Sequence, residues 1–168
     1  MTCLKFSDSR RGTLFKLLLD AYSENILIVN RFYKSWEFFD GFIYDNLEFM
    51  DQAGFISEKN KKRIGFMSWD NRLAPESIEI GHNCIIRKYQ GKGFGQKQLL
   101  KGMSLIQEQE QEPKKIIVKT GNHSFFIPAQ KMYERAGFIK KGIKKLADNV
   151  ISEVIEYELR FKTSETIK

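Results

Sequence analysis

Cysteine is scarce in this sequence. Cys3 and Cys84 are the two in 168 residues. That excludes a disulfide framework and offers no metal-ligand spacing. Both lie in apolar, strand-like surroundings and read as inert buried thiols. No apolar run approaches the ~18 residues of a membrane span, and no charged-then-apolar leader opens the chain. The sequence therefore reads as a cytoplasmic protein of a reducing compartment, with no membrane partner. Repeats, low-complexity segments and linkers are missing too, so the expectation is one domain over 1–168, with a core of about 3–161 and a polar C-terminal tail. Apolar residues at 42% and charged residues at 29% are ordinary for a globular chain. The net charge of +7 suits an anionic ligand. Its excess is spread over 59–63, 114–119 and 140–145, and so identifies no partner.

Taken in order, Cys3–Phe6 reads as a short strand. Asp8 or Ser9 then caps a helix with Leu14, Leu17, Leu18 and Ala21 on its face. Residues 26–29 fit strand or helix alike. A helical region from about Arg31 is rich in aromatics, read chiefly as packing, with some rings available to wall an acceptor pocket. Residues 53–57 and 64–69 form a hairpin across the polar turn 58–62. A β-branched strand covers 77–86, a helix runs from the following glycines to Pro113, and 115–120 is a further strand. Pro128 opens a helix that Gly137 closes, Phe138-Ile139 starts a strand, and the last strand alternates Ile155, Tyr157, Leu159 and Phe161 against Glu156, Glu158 and Arg160.

The chain is organised around Gln90-Gly91-Lys92-Gly93-Phe94-Gly95. A strand, a glycine-rich turn and a helix start make an anion cradle, because glycine lets the backbone approach closely and the first helical turn presents unpaired amides. The glycines fall as G-x-G-x-G, which is not the dinucleotide fingerprint, and no Walker A string occurs. The segment resembles the Q/R-x-x-G-x-G/A loop of the GNAT superfamily of N-acetyltransferases, met by Gln90, Gly93 and Gly95. Downstream, Tyr133-Glu134-Arg135-Ala136-Gly137-Phe138 resembles the family's Y-E-x-x-G-F signature.

The resemblance implies an α/β (α+β) GNAT fold, a mixed and mostly antiparallel sheet of six to seven strands flanked by about four helices. It implies acetyl-CoA as cosubstrate, no metal, and a primary amine as acceptor, on a small molecule, a peptide or a protein. Homodimers are frequent in the family, so a homodimer is possible. By resemblance, Gln90, Gly91, Lys92, Gly93, Phe94 and Gly95 wrap the pyrophosphate, the backbone of Ile85, Ile86 and Arg87 pairs with the pantetheine arm, and the Ile85 amide is the oxyanion donor. Many members carry an asparagine seven residues before the tyrosine; here that position is Phe126, with Asn122 as the nearby substitute.

An alkyl amine, with a pKa of about 10, arrives protonated and needs a base. Glu79, an acid inside the apolar strand Ile78-Glu79-Ile80, is that candidate, since burial would raise its pKa. His82 is the alternative, and a glutamate paired with a lysine on the strand's solvent face is the structural reading. Tyr133 is the candidate general acid for the departing thiolate, or else an aromatic packing residue. Asp40, Asp45, Glu48 and Asp51 offer a locally acidic cleft for a cationic acceptor. A non-catalytic acyl-CoA sensor on the same fold is the competing function. Nucleic-acid binding ranks last, because the aromatics lie away from the lysine runs.

Overall fold

The structure, a computed structural model, describes residues 1–109 and 113–161. The expected polar tail, 162–168, lies outside the described residues. The element order is β1 (Thr2–Leu4), α1 (Thr13–Ala21), α2 (Ile26–Asp45), α3 (Leu47–Met50), β2 (Gly54–Lys59), β3 (Lys62–Asp70), β4 (Ile78–Ile85), α4 (Phe94–Glu108), β5 (Lys115–Gly121), α5 (Ile127–Arg135), β6 (Ile139–Lys145) and β7 (Glu153–Arg160). The strands form one open, mixed sheet in the order β1-β2-β3-β4-β5-β7-β6. β4 and β5 are parallel, pairing Ile78 to Ile116 and Ile80 to Val118. The ladders of β1 with β2, β2 with β3, β5 with β7 and β6 with β7 are antiparallel. This is the expected fold class.

The chain groups into two compact units. The first comprises Met1–Trp69 and His82–Gly102. Its hairpin turns at Asn60 and Lys61, with φ of 49° and 59°. Two consecutive left-handed residues match a two-residue loop to the strand twist, so the turn is tighter than the five polar residues suggest. Phe6, Leu14, Leu18, Ile43, Ile56, Ile64 and Phe66 are fully buried here.

Three readings of this unit change. Residues 26–29 are the first turn of α2, with Asn25 as N-cap, so the helical region begins well before Arg31. Neither Asp8 nor Ser9 caps α1. Gly12 is its N-cap residue, and the buried carboxylate of Asp40 accepts from the amides of Gly12, Leu14 and Phe15 at 2.6, 3.0 and 3.1 Å. A long-range cap of this kind has no local sequence signature. Of the four acids offered for an acidic cleft, three are engaged by partners and Glu48 is exposed. Asp40 is the cap, Asp45 pairs with Arg11, and Asp51 accepts from the amide and hydroxyl of Ser7.

The aromatics of α2 mostly pack. Trp36 lies against Tyr22 and Phe32, and Phe39 stacks on Phe66 at 6.0 Å, whereas Phe38 and Phe42 are exposed. Cys84 is buried and desolvation pushes its thiol up to about 12, as an inert thiol requires. Cys3 is a correction, because it is exposed on β1, an edge strand with few neighbours.

The second unit comprises Asp70–Gly81 and the chain from Met103. Its core gathers Ile78, Ile80, Ile116, Val118, Tyr133, Phe138, Ile155 and Tyr157. Pro128 sits in the first turn of α5, and Gly137 follows the helix with φ 91°. The clean alternation of β7 breaks at Glu158. That carboxylate is buried against Lys115 at 3.2 Å and Arg160 at 2.6 Å. Those two cations hold it below the ordinary carboxylate range against the opposing effect of desolvation, which alone would raise it.

Candidate active site

In the first unit the site grows from the end of β4. Gly65 of β3 lets that strand close in, because a Cβ there would run into the carbonyl of Cys84 and the side chain of Ile85. The Ile86 amide donates to Ile64 O at 2.8 Å. Alternation along a strand then turns the Ile85 amide to the opposite edge of β4. After Ile85 the chain leaves the strand through a short 3-10 turn, Arg87–Tyr89. The Arg87 amide donates to Asp20 Oδ1 at 2.8 Å, and its guanidinium pairs with Glu24. Gln90 donates through Nε2 to Ile85 O at 2.7 Å and to Ala21 O at 2.8 Å. Gln90 is thus a clasp between α1 and the end of β4, a role for which its motif position gave no hint.

The loop then opens α4. Gly91 and Gly93 have φ of 68° and 80°, and nothing lies within 4 Å of where a Cβ would stand on either. Left-handed backbone beside open space gives an anion room to approach the loop. Lys92 turns back on the loop, donating from Nζ to Lys88 O at 2.7 Å. The Phe94 ring, 5.7 Å from that of Tyr89, has Lys59 and Lys97 against it at 4.6 and 5.8 Å. These cations add to a positive field around the loop.

Gln98 was missed by sequence reasoning. It is fully buried, and the two hydrogens of its Nε2 are shared among three acceptors, Phe66 O, Asn83 Oδ1 and Cys84 O, at 2.8, 2.7 and 3.1 Å. It ties α4, and with it the loop, to β3 and β4. A glutamine beside Leu99 on the apolar face of the helix was the available signal.

His82 packs against the rings of Phe39 and Phe66, with centroids at 4.4 and 5.6 Å. Desolvation pushes its pKa down to about 4. It is neutral at pH 7 and a weak base for an ammonium ion.

In the second unit Glu79 stands between buried Ile78 and Ile80 but points away from their face. Its carboxylate is half-exposed and accepts from Lys119 Nζ at 2.9 and 3.1 Å. The burial expected of it is not found, because the strand buries only the alternate positions. Tyr133 of α5 is buried, with its ring 5.7 Å from Phe138 and 6.2 Å from Tyr157. The Tyr157 hydroxyl donates to Glu134 at 3.0 Å, and desolvation first, then that carboxylate, pushes it up to about 12. Asn122 is anchored at the end of β5, its amide group donating to Glu153 Oε2 at 2.7 Å. Phe126, at the asparagine position of the pattern, instead covers Gly121 with its ring.

No protein-family model and no curated protein matches the chain. Solved structures do. Over 96% of this chain and 100% of that one, it superposes on the ribosomal-protein-alanine N-acetyltransferase of Brucella melitensis, with a TM-score of 0.75 and 13% identity. A GNAT family acetyltransferase from Elizabethkingia anophelis with acetyl-CoA bound gives 0.61 at 23% identity, covering 95% and 97% of the two chains. An acetyltransferase from Bacillus subtilis in complex with CoA gives 0.60 at 18%, covering 92% and 95%. At these identities it is the architecture that is shared. The chain has the fold of the GNAT acetyltransferases.

Proposed function

We propose that the protein is an acetyl-CoA-dependent N-acetyltransferase acting on a primary amine by direct attack in a ternary complex. The observation that carries this reading is the loop Gln90–Gly95, with two left-handed glycines, open space above them and a helix start behind, at the end of β4. Acetyl-CoA, when bound, supplies the acyl group and a thiolate leaving group.

The chain's own residues supply the rest. The loop amides hold the diphosphate, and the arm is aligned at Ile85, because the N–H groups of Ile86 and Arg87, expected to share that role, already donate to Ile64 O and Asp20 Oδ1. The Ile85 N–H, turned to the edge of β4 away from β3, donates to the carbonyl oxygen as negative charge builds there. Glu79 takes the proton of the attacking ammonium, directly or through one water, while Lys119 fixes the carboxylate. The new N–C bond forms as the C–S bond breaks, the Tyr133 hydroxyl gives its proton to the sulfur, and the second proton of the acylated nitrogen passes through water to restore the Tyr133 hydroxyl. Cys84, buried and with its thiol pushed up, is unsuited to a covalent acyl intermediate.

A protein N-terminus is the acceptor class favoured by the neighbour of highest superposition quoted above, itself a ribosomal-protein-alanine N-acetyltransferase. The ion pair of Glu79 with Lys119 favours one other reading, a non-catalytic acyl-CoA sensor in which Glu79 is structural. Thiol release from acetyl-CoA over a panel of amines and N-terminal peptides separates the two. The exposed Cys3 is first replaced by serine to remove its background. Amine-dependent release that falls about 100-fold or more in Glu79→Gln or Tyr133→Phe is the expected result. Binding of CoA with no release on any acceptor supports the sensor.

A further inference from the structure

A cavity of about 450 Å³ opens within the first unit, between the start of α1 and the start of β3. It shares no lining residue with the loop 90–95, and only Ile86 with the stretch expected along the arm of CoA. Arg10, Arg11 and Lys16 line it from the α1 side, and Lys62 and Arg63 from β3. The one carboxylate in the wall, Asp20, is already engaged by the Arg87 amide.

The state of these cations decides what the cavity suits. Arg11 is paired with Asp45, and Arg63 donates to Asp8 O at 3.1 Å. Arg10, Lys16 and Lys62 have no carboxylate within ion-pair distance among the described residues. Like charges around one hollow repel, and an anion in the hollow relieves that repulsion. The helix start itself is not the attraction, since Asp40 takes the amides of Gly12, Leu14 and Phe15. Recognition must come from side chains. Guanidinium forks and ammonium groups around a hollow of ligand size suit phosphate oxygens. Buried Leu17 and Ile86 supply apolar wall for the remainder of such a molecule.

We infer that this cavity is a second anion site, which takes a small phosphorylated molecule independently of the glycine loop. The inference does not rest on the acetyltransferase reading. The test is calorimetric titration of the full chain with inorganic tripolyphosphate, with and without saturating CoA, at constant ionic strength. Arg10→Ala/Lys62→Ala is the variant, chosen because both side chains are exposed and neither occupies the glycine loop. The expected result is one tripolyphosphate site that persists with CoA bound and weakens at least about tenfold in the double variant, as the loss of two charge-assisted contacts implies. The CoA affinity of that variant is unchanged. Should the chain bind no CoA, the comparison without CoA decides by the same criterion. Absence of tripolyphosphate binding overturns the inference, as does binding that CoA abolishes or that the double variant leaves intact.

Discussion

His82 packs against the rings of Phe39 and Phe66 and carries no charge at neutral pH. Its folded pKa of about 4 lies below the value of about 6.5 of an unfolded histidine, so protonation favours the unfolded chain. The associated stability is complete above pH 6.5 and declines as pH falls toward 4. Between pH 7.5 and 5 the loss is about 2 kcal/mol from this residue. Urea titrations of wild type and His82→Leu at those two pH values check it: the wild-type curve steepens its pH dependence by that amount, and equal dependence in both proteins would refute the burial argument. Glu79 illustrates the opposite arrangement. Its neighbours Ile78 and Ile80 are in the core, but its own carboxylate reaches Lys119 on the half-exposed face. Its proposed role as base therefore rests on access and on a partner that fixes its orientation, and not on burial.

At the scale of elements, α1 depends on a residue of another helix. Asp40 satisfies three amides at the start of α1 from within the core. Asp40→Ala leaves those donors without a protein acceptor and is expected to lower stability by about 2–4 kcal/mol, read as a shifted denaturation midpoint with unchanged slope. A change below about 0.5 kcal/mol would show that the cap is replaceable. This element also shows where sequence reading stops. The period of Leu14, Leu17, Leu18 and Ala21 identified the helix and its buried face, since that signal is local. The cap, 26 residues distant from Leu14, has no such signal. The hairpin, α4, α5 and β7 were legible for the same reason as α1, and the glycine loop because φ above zero demands its residue type. What escaped was the partner of most polar side chains, whereas the lysine partner of Glu79 was one of the two readings the sequence offered. The clasp of Gln90, the buried anchor of Gln98 and the engagement of Asp40, Asp45 and Asp51 are all set by tertiary pairing. So is the exposure of Cys3, which follows from its strand lying at the sheet edge.

For the molecule as a whole, the net charge of +7 is no longer featureless. Part of it surrounds the glycine loop as Lys59, Lys92 and Lys97, and part lines the cavity beside α1. Four lysines, Lys140, Lys141, Lys144 and Lys145, stand along β6, where charge protects an edge strand from pairing with another chain. The central claim is that the left-handed loop 90–95 holds acetyl-CoA. Gly93→Ala addresses it most directly, because no neighbour obstructs the added methyl group and the strain falls on the backbone of the loop alone. The measurement is calorimetric titration of acetyl-CoA into wild type and Gly93→Ala, each checked for a native melting transition. The account predicts single-site binding to wild type and an affinity at least about fivefold to tenfold lower in the variant, as ~1–2 kcal/mol of left-handed strain at the binding loop implies. No binding to wild type, or equal affinity in the two folded proteins, would contradict it.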